Sequence, residues 1–218
     1  MLLEACRRSP LVSRIVVASS DKAYGEQTEL PYTEELKLNA RYPYDVSKAC
    51  TDMISASFAA TYGLRVAVSR SANIYGPADM NLSRIIPGTV ISVLKGEDPI
   101  VRSDGTPVRE FIYVDDVVNG YLALAENIEA AGGNAFNFGT NAPVRIIDLV
   151  NTIIEACGAA DVIKPNVLLQ EKIKNEIDAQ YLSGEKMKAM TGWTASVPLQ
   201  EGLARTVNWY RDNIDLWK

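Results

Sequence analysis

Tyr44 and Lys48 stand four residues apart in Tyr44-Asp-Val-Ser-Lys48, a spacing that places phenol and ammonium one turn apart on the same face of a helix. A phenol with its ordinary pKa of about 10 is a poor base near neutrality, and a cation held beside it favours the phenolate. Upstream, the apolar run Arg14-Ile-Val-Val-Ala18 delivers Ser20, Asp21 and Lys22 directly after it. The C-terminal mouth of a parallel strand is where open α/β sheets bind ligands. Taken together, Ser20, Asp21, Lys22, Tyr44 and Lys48 form an acid/base set. Each segment alone has a plainer reading, a surface Tyr/Lys pair in one case and a Ser-Asp turn or helix cap in the other.

The elements that must hold these residues follow from hydrophobic periodicity. Residues 14–18 read as a buried parallel strand that ends in a polar loop, and 64–70 and 135–139 as two more strands. Between the first two, Val46, Ala49, Cys50, Met53, Ile54, Ser57 and Phe58 recur at spacings of three and four, which predicts a helix over about 43–62, stopped by Gly63. Further helices are expected at 84–95, from Val114 to about 128, at 146–157 and from about 199 to 214. Strands alternating with helices predict an α/β fold with a parallel sheet. Gly, Pro and Asn cluster near 76 and near 140, so the α/β layer is expected to take 1–75 and 109–139, and a smaller lobe 76–108 and 140–218.

Composition removes whole classes of chemistry. With His 0, a Ser-His-Asp triad, a Cys-His pair and a His-liganded zinc are excluded. The three cysteines are widely spaced and make neither a disulfide framework nor a metal site, which fits a reducing cytoplasm. A formal charge of −5 supplies no broad basic field, so neither a nucleic acid nor an anionic membrane is expected as a partner. No targeting segment is recognisable.

Four motifs stand in order: Ser19-Ser-Asp-Lys-Ala-Tyr-Gly25, Tyr42-Pro-Tyr-Asp-Val-Ser-Lys48, Arg70-Ser-Ala-Asn-Ile-Tyr-Gly-Pro77 and Arg109-Glu-Phe-Ile-Tyr-Val-Asp-Asp116. In that order they resemble the extended short-chain dehydrogenase/reductase family, the NAD-dependent epimerases and dehydratases of nucleotide sugars. The resemblance covers essentially the whole chain and implies a partial Rossmann-type sheet with helices on both faces and a C-terminal substrate-binding lobe. It implies NAD or NADP as cofactor, a nucleoside-diphosphate sugar as substrate and a homodimer for the full-length form. Tyr44 would take the proton from the sugar C4 hydroxyl, Lys48 would hold the cofactor ribose, and Ser20 would hydrogen-bond the reacting oxygen. Asn73 and Arg109 resemble the residues that grip the diphosphate and the nucleotide, with Arg84 and Arg102 as further contributors to that pocket.

The subclass turns on Asp21-Lys22. A 4-epimerase needs no second acid/base pair, whereas a 4,6-dehydratase must also remove the C5 proton and protonate the departing C6 hydroxyl. Many dehydratases of the family carry Asp-Glu here. Asp-Lys is similar to the pair in CDP-glucose 4,6-dehydratases, and a lysine base calls for burial or a neighbouring cation to bring it well below about 10.4. The expected activity is therefore a nucleotide-sugar 4,6-dehydratase, with a 4-epimerase or a nucleotide-sugar decarboxylase of the same family as the alternative.

The family's Gly-x-x-Gly-x-x-Gly turn, which brings the dinucleotide's pyrophosphate to a helix N-terminus, has no counterpart in this sequence. Met1 to Pro10 resembles the end of the helix before the Ser-Asp-Lys strand. At about 30 residues per strand and helix, roughly 100 preceding residues of the family pattern are missing. The chain is accordingly expected to be the C-terminal two-thirds of such an enzyme, inactive by itself, with marginal stability or a tendency to associate. The contrasting expectation is a short relative that acts as a binding or interaction module.

Overall fold

The computed structural model describes residues 2–169 and 177–217. The first elements are α1 (Leu2–Arg8), β1 (Ile15–Ala18), a 3₁₀ turn (Asp21–Tyr24), α2 (Pro43–Tyr62), β2 (Val66–Ser71), β3 (Asn73–Tyr75) and α3 (Ile85–Leu94). The middle of the chain forms β4 (Ile100–Val101), β5 (Val108–Arg109), β6 (Phe111–Tyr113), α4 (Val114–Glu126), α5 (Ile128–Ala131) and β7 (Ala135–Phe138). Then come β8 (Val144–Arg145), α6 (Ile146–Ala156), β9 (Asn166–Val167), β10 (Ala179–Gln180), α7 (Glu185–Thr191) and α8 (Leu199–Asp212).

Two compact units share these elements. The first comprises 1–72, 115–141 and 181–196, and the second 73–114, 142–180 and 197–218. In the first, β1, β2 and β7 form a parallel sheet with β2 central, in the register Ile15↔Val66 and Val68↔Ala135. All six residues of β2 are buried. Parallel strands need crossovers, and α2 supplies the one from β1 to β2. Pro43 opens α2 with its φ already set for a helix, and Gly63 closes it in the left-handed region at φ 63°, its N–H donating to Ala59 O at 2.9 Å.

The buried face of α2 differs from the expected apolar stripe. Ala49, Asp52 and Ser55 point inward, whereas Val46, Met53 and Ile54 are exposed, Met53 at 64%. The inward carboxylate has a partner: Asp52 takes a fork of hydrogen bonds from Arg70 of β2. A buried charge is tolerated only when paired in this way.

In the second unit β3 and β6 pair in parallel, β5 lies between β10 and β8, and β4 pairs with β9. Its core gathers Tyr75, Val90, Phe111, Leu149, Leu203 and Tyr210 from both strands and helices. The boundaries depart from those read in the sequence at four places. Residues 73–75 and 109–114 go with the second unit, where β3 registers on β6 as Asn73↔Phe111, and residues 140–141 and 181–196 go with the first. The contacts that hold that later segment there include the Tyr32↔Leu182 bridge and the Trp193 indole N–H donating to Asp116 O at 3.1 Å. No described helix is long and apolar enough to cross a membrane.

Candidate active site

The acid/base residues predicted from sequence all lie in the first unit, at the C-terminal end of β1 and the first turns of α2. Ser20 is extended, with φ −160°, and caps the 3₁₀ turn that follows: its Oγ accepts from Lys22 N at 3.2 Å and donates to Asp21 Oδ1 at 3.0 Å. Lys22 Nζ sits 3.5 Å from Asp21 Oδ2, with the carboxylate buried and the amine partly exposed. A four-residue turn thereby presents hydroxyl, carboxylate and amine at one strand mouth.

Tyr44 is 58% exposed, and Lys48 Nζ lies 5.8 Å from the centre of its ring, as the spacing of four demands. Lys48 is tied to the strand twice over. Its Nζ donates to Ala18 O at 3.3 Å, and its carbonyl accepts from Ser19 Oγ at 3.0 Å. The end of β1 and the start of α2 are thus stitched together, and the exposed phenol stands over the stitch.

Asp45 belongs to the same cluster and received no role in the sequence reading. Burial raises its carboxyl above the ordinary range, with Lys22 pulling it down and Asp21 pushing it up. The signal was present, since Asp45 lies within the Tyr-x-x-x-Lys pentapeptide, but an acid in a first helical turn reads equally well as a dipole partner. Asp21 and Asp45 are thus carboxylate neighbours of Lys22.

The residues predicted to hold the nucleotide lie in the second unit. Asn73 opens β3, and both its backbone N–H, at 3.2 Å, and its Nδ2, at 2.9 Å, donate to Glu110 O. Arg109 is the residue before Glu110, on the adjoining backbone, and its Nη1 donates to Val108 O at 2.9 Å and to Asp178 O at 3.5 Å. Arg84 does not join them. It pairs with Asp79 at 2.8 Å just before α3, while Arg102 is exposed on the turn between β4 and β5.

Behind the acid/base set runs a buried polar network. Arg70 Nε and Nη2 donate to Asp52 at 2.7 and 2.9 Å, and Nη1 donates to the Tyr24 hydroxyl at 2.9 Å. Tyr24 donates onward to Asn137 Oδ1 at 2.7 Å. Burial pushes the Tyr24 phenol up to about 12 even though Arg70 beside it works the other way. Because the folded state holds this proton more tightly than the unfolded chain, whose tyrosine titrates near 10, the stabilisation is complete below about pH 10 and lost as pH rises to about 12. The expected loss from Tyr24 over that window is about 2–3 kcal/mol; Tyr210, also pushed up by burial to about 12, acts in the same direction. Melting temperatures measured from pH 9 to 12 test this, and Tyr24→Phe should flatten the decline. An unchanged slope in that variant would remove Tyr24 from the account.

Comparison with known proteins adds a family to this geometry. The NAD dependent epimerase/dehydratase family matches residues 1–139. A dTDP-glucose 4,6-dehydratase of Streptomyces griseus is 31% identical over 217 residues, which is 100% of this chain and 64% of that protein. The trifunctional UDP-glucose 4,6-dehydratase/UDP-4-keto-6-deoxy-D-glucose 3,5-epimerase/UDP-4-keto-L-rhamnose-reductase of Arabidopsis thaliana is 29% identical over 222 residues, 100% of this chain and 32% of that one. The chain spans less than two thirds of the length of these curated relatives. Among solved structures, dTDP-glucose 4,6-dehydratase from Bacillus anthracis in complex with NAD superposes with a TM-score of 0.86 at 29% identity, over 99% of this chain and 67% of that one.

Proposed function

This chain belongs to the NAD dependent epimerase/dehydratase family, and from that premise we propose that it carries the sugar-oxidising and water-eliminating site of a nucleotide-sugar 4,6-dehydratase. The observation that supports this most is the joined pair of motifs, the Ser20-Asp21-Lys22 turn and the Tyr44/Lys48 stripe stitched to the end of β1. An exposed phenol beside an amine suits the nicotinamide ribose end of NAD or NADP, and Tyr44 and Lys48 are the residues that would hold it. When bound, that cofactor accepts and returns hydride.

The chain's own residues do the rest. Tyr44 takes the C4 hydroxyl proton, Lys48 stands beside its ring with Nζ 5.8 Å from the centre, and Ser20 donates to the same oxygen. Asp21 and Lys22 are the pair available to move the C5 proton and protonate the departing C6 hydroxyl. That second pair is what favours a dehydratase over a 4-epimerase, which would leave it idle. Asn73 and Arg109 bind the diphosphate, because donors suit anionic oxygen and Arg offers them as a fork. The outward apolar face of α2, with Met53 and Ile54, serves as the self-association surface of a homodimer.

Calorimetric titration of the chain with dTDP-glucose, CDP-glucose, UDP-glucose and UDP-N-acetylglucosamine, each with and without NAD, tests the reading. Binding of at least one nucleotide sugar is expected; a folded chain that binds none overturns it and points to an interaction module. Arg109→Gln should weaken the preferred nucleotide sugar about 10- to 100-fold, the worth of a hydrogen bond to a charged group. Its melting temperature should stay within a few degrees of the parent, since the Arg109 side chain is only half-buried, its Nη1 donating to Val108 O at 2.9 Å and to Asp178 O at 3.5 Å.

A further inference from the structure

Tyr44, Lys48 and Asp52 follow one another at intervals of four along α2, so the carboxylate that Arg70 grips continues the stripe that carries the reactive phenol and amine. Tyr24, the other partner of Arg70, closes the turn that begins with Asp21 and Lys22. One guanidinium therefore spends its donors on both elements that bear the acid/base set. We infer that Arg70 is a positioning residue for that set: through Asp52 it fixes the rotation of α2, and through Tyr24 it fixes the turn that presents Ser20, Asp21 and Lys22.

The geometry is that of a clamp. The two bonds to Asp52, at 2.7 and 2.9 Å, form a planar fork that sets orientation as well as distance. The third donor reaches the Tyr24 oxygen at 2.9 Å, while the guanidinium carbon lies 4.7 Å from the centre of the same ring, so the phenol is held by face and by oxygen. Asn137, the register partner of Arg70 on β7, accepts the Tyr24 proton and donates to Tyr32 O at 2.9 Å, which anchors the far side. By contrast, Lys48 is tied to the end of β1 by two separate single bonds, its Nζ to Ala18 O at 3.3 Å and Ser19 Oγ to its carbonyl at 3.0 Å, neither of them a fork. Lysine in place of Arg70 would keep the charge and lose the fork.

This role rests on the dehydratase reading, and the test separates the two. Hydrogen exchange is measured on the full chain, on Tyr24→Phe and on Arg70→Lys, with peptides covering 20–25, 43–50, 66–71 and 135–138. Tyr24→Phe keeps the ring and the Asp52 pair but removes the oxygen, so exchange at 20–25 should rise about five- to tenfold while 66–71 and 135–138 stay as in the parent. Arg70→Lys should release 43–50 as well. Should Arg70→Lys fail to fold, Tyr24→Phe still decides. Unchanged protection at 20–25, or the same loss across every segment, overturns the inference in favour of a purely structural pair. In parallel, Tyr24→Phe should keep the parent's affinity for the free nucleoside diphosphate and lose the added affinity contributed by the hexose. A parent chain that binds neither ligand defeats the dehydratase reading, and the exchange pattern still decides the placement.

Discussion

Gly25→Ala is expected to destabilise the chain by about 4 kcal/mol or more, into the range that marks a specific structural failure. Gly25 ends the 3₁₀ turn at φ 63° and ψ −158°, a region that side-chain-bearing residues scarcely enter. A Cβ built there would lie 2.1 Å from Asn39 O and 2.7 Å from Asn39 C. Those are backbone atoms, and Asn39 is itself held by its N–H donating to Tyr24 O at 3.1 Å, so neither side can move away. Gly63 is the natural control. It also has φ 63°, but no heavy atom lies within 4 Å of its Cβ position, so Gly63→Ala should cost only the left-handed backbone penalty of about 1–2 kcal/mol. Urea unfolding of both variants measures the difference. Equal costs would mean that the close approach of residues 25 and 39 does not constrain the turn.

The final glycine of Ser-Ser-Asp-Lys-Ala-Tyr-Gly is therefore fixed by backbone collision, a cause that the sequence does not display. What could be read was local. The β-branched run at 15–18, the proline and glycine bounding α2, and the apolar faces of α6 and α8 each lie within a single window, and each marks an element the structure contains. The two-residue strands β4, β5, β8, β9 and β10 are too short to show a period of two. Their existence depends on partners dozens of residues away, such as Val108 registering on both Ala179 and Arg145. The direction of α2 was hidden for a related reason. Met53 and Ile54 look like core residues until Arg70 is known to pair with Asp52, a contact that lets a polar face be the buried one. In the candidate site, the placement of Tyr44, Lys48, Ser20, Asp21 and Lys22 at one strand mouth and one helix start was legible because two motifs of fixed spacing carry them. Asp45 and the Arg70 network were not, because their significance depends on contacts between elements rather than on spacing within one.

The same buried pair carries the second large effect. Asp52→Asn should cost about 3–5 kcal/mol, because it leaves a guanidinium charge desolvated without its counter-ion. Both side chains of the pair are only 8% exposed, so water cannot take over the lost role. Asparagine has nearly the shape of aspartate, but it can turn only one oxygen toward the fork, and its amide group then faces N–H donors. The cause can be isolated, since the penalty belongs to the orphaned charge and not to the missing attraction. Asp52→Leu combined with Arg70→Met removes both charges at similar volume and should recover most of the stability in thermal and urea unfolding. A double variant as unstable as Asp52→Asn would show instead that the fork itself holds the fold. If the double variant is stable, it gives the sharper result, because it lacks every donor from residue 70 to Tyr24. It should then melt like the parent while residues 20–25 exchange freely, which separates what stabilises this unit from what positions its chemistry.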